Sequence, residues 1–496
     1  MVSIVVSASC ALADSTLSLP APKDKLDPLK VVKSYADAMI EHGRDRYGKK
    51  KTPLFASALN LKTMSLFEGE ELKARIKMPR DHWDIRWGDR NPAGANPMYD
   101  ENLYQILYAL TEITGDAKYK TAADDALRYF FKECSHPQSG LLPWGEHMSQ
   151  NLLTDSAPPG IHEFGRPWVL WNQCYRLAPE ESASFAMGLW ESQIRRKGDS
   201  VIGYSRHASW SGGRPGKGAE YPRHGGFYIA SWATAYRDTQ KQEYLVPIES
   251  LLAYFESKSS PESKAIPKDS WDKVAWPESN LSLAIDLWDS AAMVPDGLAK
   301  KMRARASATD EVFLKVAHDL RTDGAGFISA CDLHTLKPKA GGKGLWAGGY
   351  GGGSLAGTAN NCMLRYRQIK DDRYKDLILK AGKCYVGGDV PSTYHNHKHG
   401  KEFSLNPGAL GSTIYLMLNC HELSGEKFYL DEARRFANSV SLFMKGDAPL
   451  PIANVHPSLH HYESCTAADT LMMSLLRLWV VENSRELQSP LVFTDR

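Results

Sequence analysis

Residues 103–131 read LYQILYALTEITGDAKYKTAADDALRYFF, and this stretch decides the fold prediction. Apolar side chains recur with helical spacing from Leu103 to Leu110, and a short polar turn follows at 114–118. Tyr119 then begins a second helix that continues through Phe131. The first helix is apolar nearly all round, whereas the second carries charge on one face. This difference is typical of the inner and outer helices of a double ring.

The same pattern of helix, polar turn and aromatic residue recurs three more times along the chain. The further copies are 226–236 followed by Tyr244 to Tyr254, 359–368 followed by Tyr374, and 409–423 followed by Phe428-Tyr429. Repeated hairpins of this kind predict an all-α fold, an α/α toroid around a central cleft with few short strands. Because no linker or low-complexity segment interrupts the pattern, we predict one domain over residues 26–496.

Long loops rich in glycine and proline separate the hairpins. They cover residues 135–167, 198–226, 321–353 and 383–411. Loops longer than about 15 residues are uncommon unless they are functional, and binding residues are often carried by loops on a rigid scaffold. We therefore expect the functional site in these loops.

Composition excludes some classes of partner. The chain has 60 Lys and Arg against 58 Asp and Glu, so it has no overall field that would attract nucleic acid or a membrane surface. No run of about 18 apolar residues is present to span a bilayer. The eight cysteines show no CxxC pair or metal-type spacing, which favours buried free thiols over a disulfide framework. The oligomeric state is not predicted.

The first 25 residues are interpreted as a leader or an unstructured terminus. An apolar run precedes Ala11-Leu-Ala13, which is a plausible site of signal cleavage, but a basic region is missing before it. A cleaved leader predicts a periplasmic or secreted protein, and an ordinary N-terminus predicts a cytoplasmic one.

Two imidazoles and a carboxylate come from loops that adjacent hairpins would bring to one rim. They are His147, Glu163 and His207. Such a set suits a borderline divalent cation, with Mn²⁺, Co²⁺, Ni²⁺ or Zn²⁺ as candidates. His162 is a competing ligand and Glu146 a competing carboxylate.

The order His147, His162-Glu163, Arg206-His207 resembles the family 2 polysaccharide lyases, which are pectate lyases with an α/α toroid. The resemblance implies β-elimination on an acidic polysaccharide, with His147, Glu163 and His207 holding a metal ion, Mn²⁺ first among the candidates. It also implies that Arg206 is the base. Because a guanidinium has a pKa above about 12, we keep Tyr204 as an alternative base, with Arg206 then binding the substrate carboxylate.

Other residues of these loops are candidates for substrate binding. Arg223 and His224 directly precede an inner helix, whose positive N-terminus would favour a uronate carboxylate. Arg166 could clamp a second carboxylate, and Trp144 and Trp168 could form sugar platforms.

Two alternative functions remain open at this point. A glycoside hydrolase on the same scaffold would use a pair of carboxylates, and a non-catalytic glycan-binding protein would need no reactive group. The candidate carboxylates are Asp155, Glu163, Asp286, Asp289 and Glu463.

Three further motifs carry no functional prediction. The histidine-rich stretches 394–399 and 456–463 are interpreted as solvated loops, although the second precedes an inner-type helix. The glycine-rich stretch 348–353 lacks the strand and the Lys-Ser/Thr of a phosphate loop, so nucleotide binding is not expected.

Overall fold

The computed structural model describes residues 26–78, 81–83, 85–213, 215–347, 354–396 and 400–495. These residues form fifteen α-helices. The helices are α1 (Pro28–Ala38), α2 (Gly69–Ile76), α3 (Glu101–Thr114), α4 (Ala117–Cys134), α5 (Trp171–Leu177), α6 (Pro179–Ser192), α7 (Pro222–Thr239), α8 (Leu245–Lys258), α9 (Pro277–Ser290), α10 (Asp296–Lys315), α11 (Leu355–Ile369), α12 (Asp372–Lys383), α13 (Pro407–Ser424), α14 (Lys427–Asn438) and α15 (Ala468–Glu482).

Thirteen short strands lie in the loops of the described chain. They are β1 (Ala58–Leu59), β2 (Gly94–Ala95), β3 (Gln150–Asn151), β4 (Ile161–Glu163), β5 (Ile194–Lys197), β6 (Ser200–Tyr204), β7 (His207–Ser209), β8 (Val274–Ala275), β9 (Ile328–Asp332), β10 (Pro338–Gly342), β11 (Thr393–Asn396), β12 (Lys401–Ser404) and β13 (Tyr462–Glu463). The strands pair in twos, except that β9 lies between β8 and β10. Every pair is antiparallel.

The helices form a closed ring of hairpins. Inner helices α5, α7, α9, α11, α13 and α15 pack in that order, and α15 packs against α3 to close the circle. Between α3 and α5 the ring is completed by α4, which contacts both helices. The N-terminal α1 packs on α15 and completes its hairpin from the other end of the chain. The predicted all-α toroid is therefore confirmed.

The four hairpins recognised in the sequence correspond to α3–α4, α7–α8, α11–α12 and α13–α14. Two others, α5–α6 and α9–α10, were not recognised. Helix α5 has only 7 residues, too short for a clear period, and the turn before α10 lacks the aromatic residue that marks the other copies. The pairing of α1 with α15 joins opposite ends of the chain, where no local pattern reports it.

Burial follows the ring. Almost every residue of α13 is buried, whereas α14 buries a single apolar face, as inner and outer helices should. One hydrophobic core runs from Val32 to Phe493. The domain boundaries 26–496 stay a prediction.

Each inner helix begins after a loop, so the loops gather at one end of the ring around the helix N-termini. Strands β4 and β7 pair there, and their register places Glu163 opposite His207. This short sheet joins the loop before α5 to the loop before α7, and it builds one corner of the site.

Two predictions about the chain as a whole can be compared with the structure. The seven described cysteines are all buried and unpaired, as predicted, and Cys10 lies outside the described residues. Within the described ranges, no helix combines the length and the apolar character needed to cross a bilayer. The proposed leader 1–25, the glycine-rich stretch 348–353, and His397 and His399 also lie outside the described residues.

Candidate metal centre

Three side chains predicted to bind a metal converge at the loop end of the ring. Nε2 of His147 lies 3.6 Å from Oε2 of Glu163 and 3.2 Å from Nε2 of His207. Nε2 of His207 lies 3.5 Å from the same carboxylate oxygen. All three ligand atoms thus meet around one point.

These separations fit a first-row divalent cation. Ligand atoms bound at about 2.1 Å are about 3.4 Å apart at tetrahedral angles and about 3.0 Å apart at right angles. The observed distances of 3.2 to 3.6 Å lie within about 0.2 Å of these values. Both oxygens of Glu163 are also buried without a hydrogen bond of ordinary geometry to the described residues. The residues present therefore fit such an ion.

Glu163 is fully buried and is surrounded by nitrogen groups. Burial alone would raise the pKa of this carboxyl, but its contacts with His207 and His224 and the charge of Arg206 outweigh burial and hold the pKa well below its usual range. Nε2 of His224 lies 3.7 Å from Oε1 of Glu163. Burial lowers the pKa of His224 to about 3, so this ring is neutral. Glu163 is therefore an ionised carboxylate that its neighbours hold in place.

Asp89 orients the first of the two histidines. Its Oδ1 lies 3.2 Å from Nδ1 of His147, and this contact raises the pKa of the imidazole. Because a histidine that binds a carboxylate through Nδ1 presents Nε2 on its other side, the contact aims Nε2 at Glu163 and His207. Arg86 fixes Asp89 in turn, with Nε 2.6 Å from Oδ2. Neither residue is predicted from the sequence, since side chains distant in sequence carry no local signal of this role.

The two competing ligands occupy different places. His162 directly precedes Glu163 on β4, so the two side chains face opposite sides of the strand. On its own side, Nδ1 of His162 contacts the carbonyl of Leu142 at 2.8 Å. Burial lowers the pKa of His162 to about 4. Glu146 stays close to the centre, with Oε2 3.9 Å from Nε2 of His147 and 2.9 Å from Nη2 of Arg86. Glu146 is therefore the nearer competitor.

The two candidate bases are separated by the structure. Nη1 of Arg206 lies 3.0 Å from Oε1 of Glu163, and its Nη2 lies 3.4 Å from Oε2 of Glu146. Tyr204 is 1% exposed, and its hydroxyl donates a hydrogen bond of 2.6 Å to the carbonyl of Glu220. Burial raises the pKa of Tyr204 well above its usual value. Arg206 therefore lies against the proposed metal ligand Glu163, whereas the hydroxyl of Tyr204 is engaged in the core.

Arg223 also faces this group of charges. Its pKa is lowered by burial and by the neighbouring charge of Arg206, while Glu146 and Glu278 act in the opposite direction. Its Nε is buried and has no hydrogen-bond partner among the described residues. Arg223 thus retains a donor that a bound carboxylate could use, whereas the fully buried His224 supports Glu163 instead.

Three predicted substrate contacts lie elsewhere in the molecule. Arg166 pairs with Asp495, with Nη1 3.0 Å from Oδ1, beside the buried Glu101 and Asp469. Trp144 is 0% exposed and stacks on Phe164, so no sugar can reach its face. Trp168 is 4% exposed and packs on Trp144. The prediction failed to distinguish aromatic residues of the core from those of the cleft, because both kinds occur in these loops.

The carboxylates considered for a hydrolase have structural contacts of their own. Asp155 accepts hydrogen bonds from the main chain of Lys49 and Lys50. Asp289 accepts one from Gln368. Glu463 binds Arg90 through two bonds and contacts His461 at 2.7 Å. Asp286, on α9, lies against Gly226 of α7. Of the five, Glu163 alone lies in the metal-binding trio.

A family model matches the part of the chain that carries this geometry. Residues 76–241 match the family described as periplasmic pectate lyase. The predicted resemblance to this family is thereby confirmed. Each predicted site residue, from Trp144 to His224, lies within the matched segment.

A curated relative of the pectate lyase family is similar over a limited length. It is the pectate disaccharide-lyase of Dickeya dadantii (strain 3937), 23% identical over 209 residues, which are 41% of this chain and 35% of the relative. The chain thus spans about a third of the length of this relative.

Solved structures with a similar course of the chain include two sugar-modifying proteins. The heparin-specific unsaturated glucuronyl hydrolase is 11% identical, with a TM-score of 0.45 over 92% of this chain and 98% of that one. The cellobiose 2-epimerase of Bacillus thermoamylovorans B4167 is 10% identical, with a TM-score of 0.47 over 90% and 100%.

Proposed function

We propose that this chain is a metal-assisted polysaccharide lyase that cleaves a uronate-containing glycan, with pectate or polygalacturonate as the first substrate to test. The observation that carries the proposal is the convergence of His147, Glu163 and His207 beside Arg206. The match of residues 76–241 to the pectate lyase family supports the same class of reaction.

The trio would hold a divalent cation, Mn²⁺ first and Co²⁺, Ni²⁺ or Zn²⁺ as alternatives. When bound, such an ion withdraws charge from the uronate carboxylate and acidifies the proton at C5. Oε2 of Glu163 faces the two histidines, whereas Oε1 faces Arg206. One carboxylate therefore sets both the ligand set and the position of the guanidinium.

Arg206 is the proposed base. In its neutral form it would take the proton from C5 as the C4=C5 double bond forms, and the glycosidic oxygen would leave from C4 with a proton from water. The hydroxide that remains would then take the proton back from Arg206. Its protonated form is stabilised by Glu163 and Glu146 and opposed by the nearby charge of Arg223. A metal ion bound to Glu163 would draw on the charge of that carboxylate. Arg206 would then lose part of the interaction that most stabilises its protonated form.

Arg223 is proposed to bind a substrate carboxylate. Its unpaired buried Nε and the N-terminus of α7, which begins at Pro222, both favour an anion at this place. We further propose export from the cytoplasm, which the family description as periplasmic supports.

Incubation with polygalacturonate tests the reaction. We expect absorbance near about 235 nm to rise as the double bond forms, and a chelator to suppress the rise until Mn²⁺ is restored. His147→Ala and His207→Ala should abolish the activity. His334→Ala is the matched control, because its imidazole also contacts a glutamate, Glu262, at 3.0 Å, but on an exposed loop.

Other outcomes would contradict the proposal. Reducing sugar released without the absorbance change would favour a hydrolase, and binding without either product would favour a glycan-binding protein. Chelator-resistant activity that survives both histidine substitutions would exclude this metal site.

A second pair of variants tests the base. Arg206→Lys should abolish turnover while polygalacturonate still binds, because a lysine amine cannot take the place of the guanidinium between two carboxylates. Tyr204→Phe should keep turnover, since its hydroxyl contacts the carbonyl of Glu220. The reverse pattern would assign the base to Tyr204.

A further inference from the structure

A chain of aromatic side chains leads away from the proposed catalytic group. The guanidinium carbon of Arg206 lies 5.5 Å from the ring centre of Tyr221. The ring of Tyr221 lies 4.7 Å from that of Trp276, between centres. Both rings are partly exposed and stand directly before inner helices, Tyr221 before α7 and Trp276 before α9.

The loop before α9 also carries the most exposed large apolar side chain among the described residues. Trp271 is 62% exposed. A methyl group added at Gly218 would lie 3.5 Å from its indole, so this loop contacts the loop that follows Arg206. A bond of 3.0 Å from the main chain of Glu220 to Asp269 ties the two loops together.

Most tryptophans of a protein fill its core, and Trp144 and Trp168 do so here. An indole that remains in water costs free energy unless something covers it. Trp271 and Trp276 lie on the loop before α9, beyond the segment 76–241 that matches the pectate lyase family. Their arrangement is therefore a property of this chain that the match does not supply.

We propose that Tyr221, Trp276 and Trp271 form a stacking track for a polysaccharide chain, next to the catalytic centre and extending it toward the loop before α9. This inference rests on the proposed function for the identity of the sugar. Pyranose rings present a face of C–H groups that packs on aromatic rings, and Trp and Tyr combine an apolar face with a polar tip. Because the charges around Trp271 are mixed, with Lys268 paired to Asp269 and Asp272, the track would recognise sugar faces more than carboxylates.

A track of this kind favours long chains over short ones. Residues of the polymer beyond those at the metal centre would rest on Trp276 and Trp271, so an oligomer gains these contacts only as it becomes long enough to extend past Tyr221. The expected signature is an affinity that rises with chain length.

Binding of galacturonate oligomers to the chelator-treated protein tests this directly, because it needs no turnover. We expect Trp271→Ala and Trp276→Ala to weaken binding of long oligomers and polygalacturonate about tenfold, with the shortest oligomers unaffected. Trp276→Phe should restore most of the affinity, which separates lost stacking from misfolding. Phe428→Ala, which removes a 40% exposed ring on the outer helix α14, is the matched control.

Equal affinity of wild type and both alanine variants for long oligomers would overturn the track, as would a loss that is the same for short and long oligomers. The outcome is separable from that of the lyase proposal. If the wild-type protein cleaves the polymer and the tryptophan variants bind long oligomers as tightly as the wild type, the track is refuted and the lyase proposal stands. Length-dependent binding that needs Trp271, without any unsaturated product, refutes the lyase and retains the track.

Discussion

Two buried clusters of charged groups at the loop end of the ring ionise in opposite ways. In the candidate metal-binding cluster of His147, Glu163 and His207, Glu163 is 0% exposed and its pKa is held well below the usual range. In the carboxyl cluster of Asp100, Glu101, Asp469, Asp495 and Arg166, Glu101 is 1% exposed, yet burial raises its pKa to about 8.

The difference comes from the neighbours, since burial is nearly the same. Glu163 is surrounded by two histidines and an arginine, whereas the carboxyl cluster shares Arg166 among several acids. Burial also raises the pKa of Asp469 to about 7, and that of Asp100 well above its usual value. The carboxyl of Glu163 is thus kept ionised by the imidazoles and the guanidinium around it, whereas the acids that share Arg166 tend to retain their protons.

The largest expected effect comes from removing the charge of Glu163. Glu163→Gln should lower the affinity for Mn²⁺ by more than about a hundredfold, because a carboxylate ligand is replaced by an amide between two histidines. Calorimetric titration of the chelator-treated protein measures it. Glu262→Gln, at an exposed glutamate that contacts His334, should leave the affinity unchanged. If Glu163→Gln binds Mn²⁺ as tightly as the wild type, the charge of Glu163 does not prepare this cluster for a metal ion.

Arg166 tests the other cluster. Arg166→Met should lower the free energy of unfolding by about 3 kcal/mol, since it leaves Asp495 and its acidic neighbours without their cation. Denaturant titration measures the loss, and the double variant with Asp495→Asn should recover part of it. An unchanged unfolding free energy with a raised KM for polygalacturonate would restore the substrate role predicted from the sequence.

Substitution of Asp89 tests whether this residue orients the proposed metal ligand His147. Asp89→Asn keeps the shape of the side chain but removes the charge that orients His147, so Mn²⁺ should bind about ten- to a hundredfold more weakly. The measurement is the same titration, with circular dichroism as a check of folding. If the affinity for Mn²⁺ stays at the wild-type value, the orientation of the His147 imidazole does not depend on the charge of Asp89.

Glu101 also gives the carboxyl cluster a stability that depends on pH. The pKa of Glu101 is raised from 4.5 to about 8, so the unfolded chain releases this proton at lower pH than the folded chain. Its contribution therefore lowers stability progressively as pH rises from about 4.5 to about 8. Glu101→Gln should flatten that decline, measured as melting temperature across this window. A decline as steep as that of the wild type would show that Glu101 is already ionised at neutral pH.

The sequence was sufficient for the ring and for the three side chains that converge at its loop end, and the reasons are local. The α3–α4 hairpin repeats a helical period and a turn that can be read directly, and His147, Glu163 and Arg206-His207 follow the order of a known family. Arg166 and Trp144 were misplaced because loop residues give no period that separates core from cleft. Asp89 and Trp276 reach the site only through contacts between distant loops, which a single sequence does not encode as a pattern.

The pairing of α1 with α15 has a consequence for synthesis of the chain. Helix α1 is made before the other elements of the ring, but the inner helix that it covers, α15, is made after all the intervening hairpins. The apolar face of α1 must therefore wait while the intervening hairpins form, and the ring closes only when α15 docks between α13 and α3. Until α15 is made, the inner helices α3 and α13 each lack the neighbour that closes the ring between them.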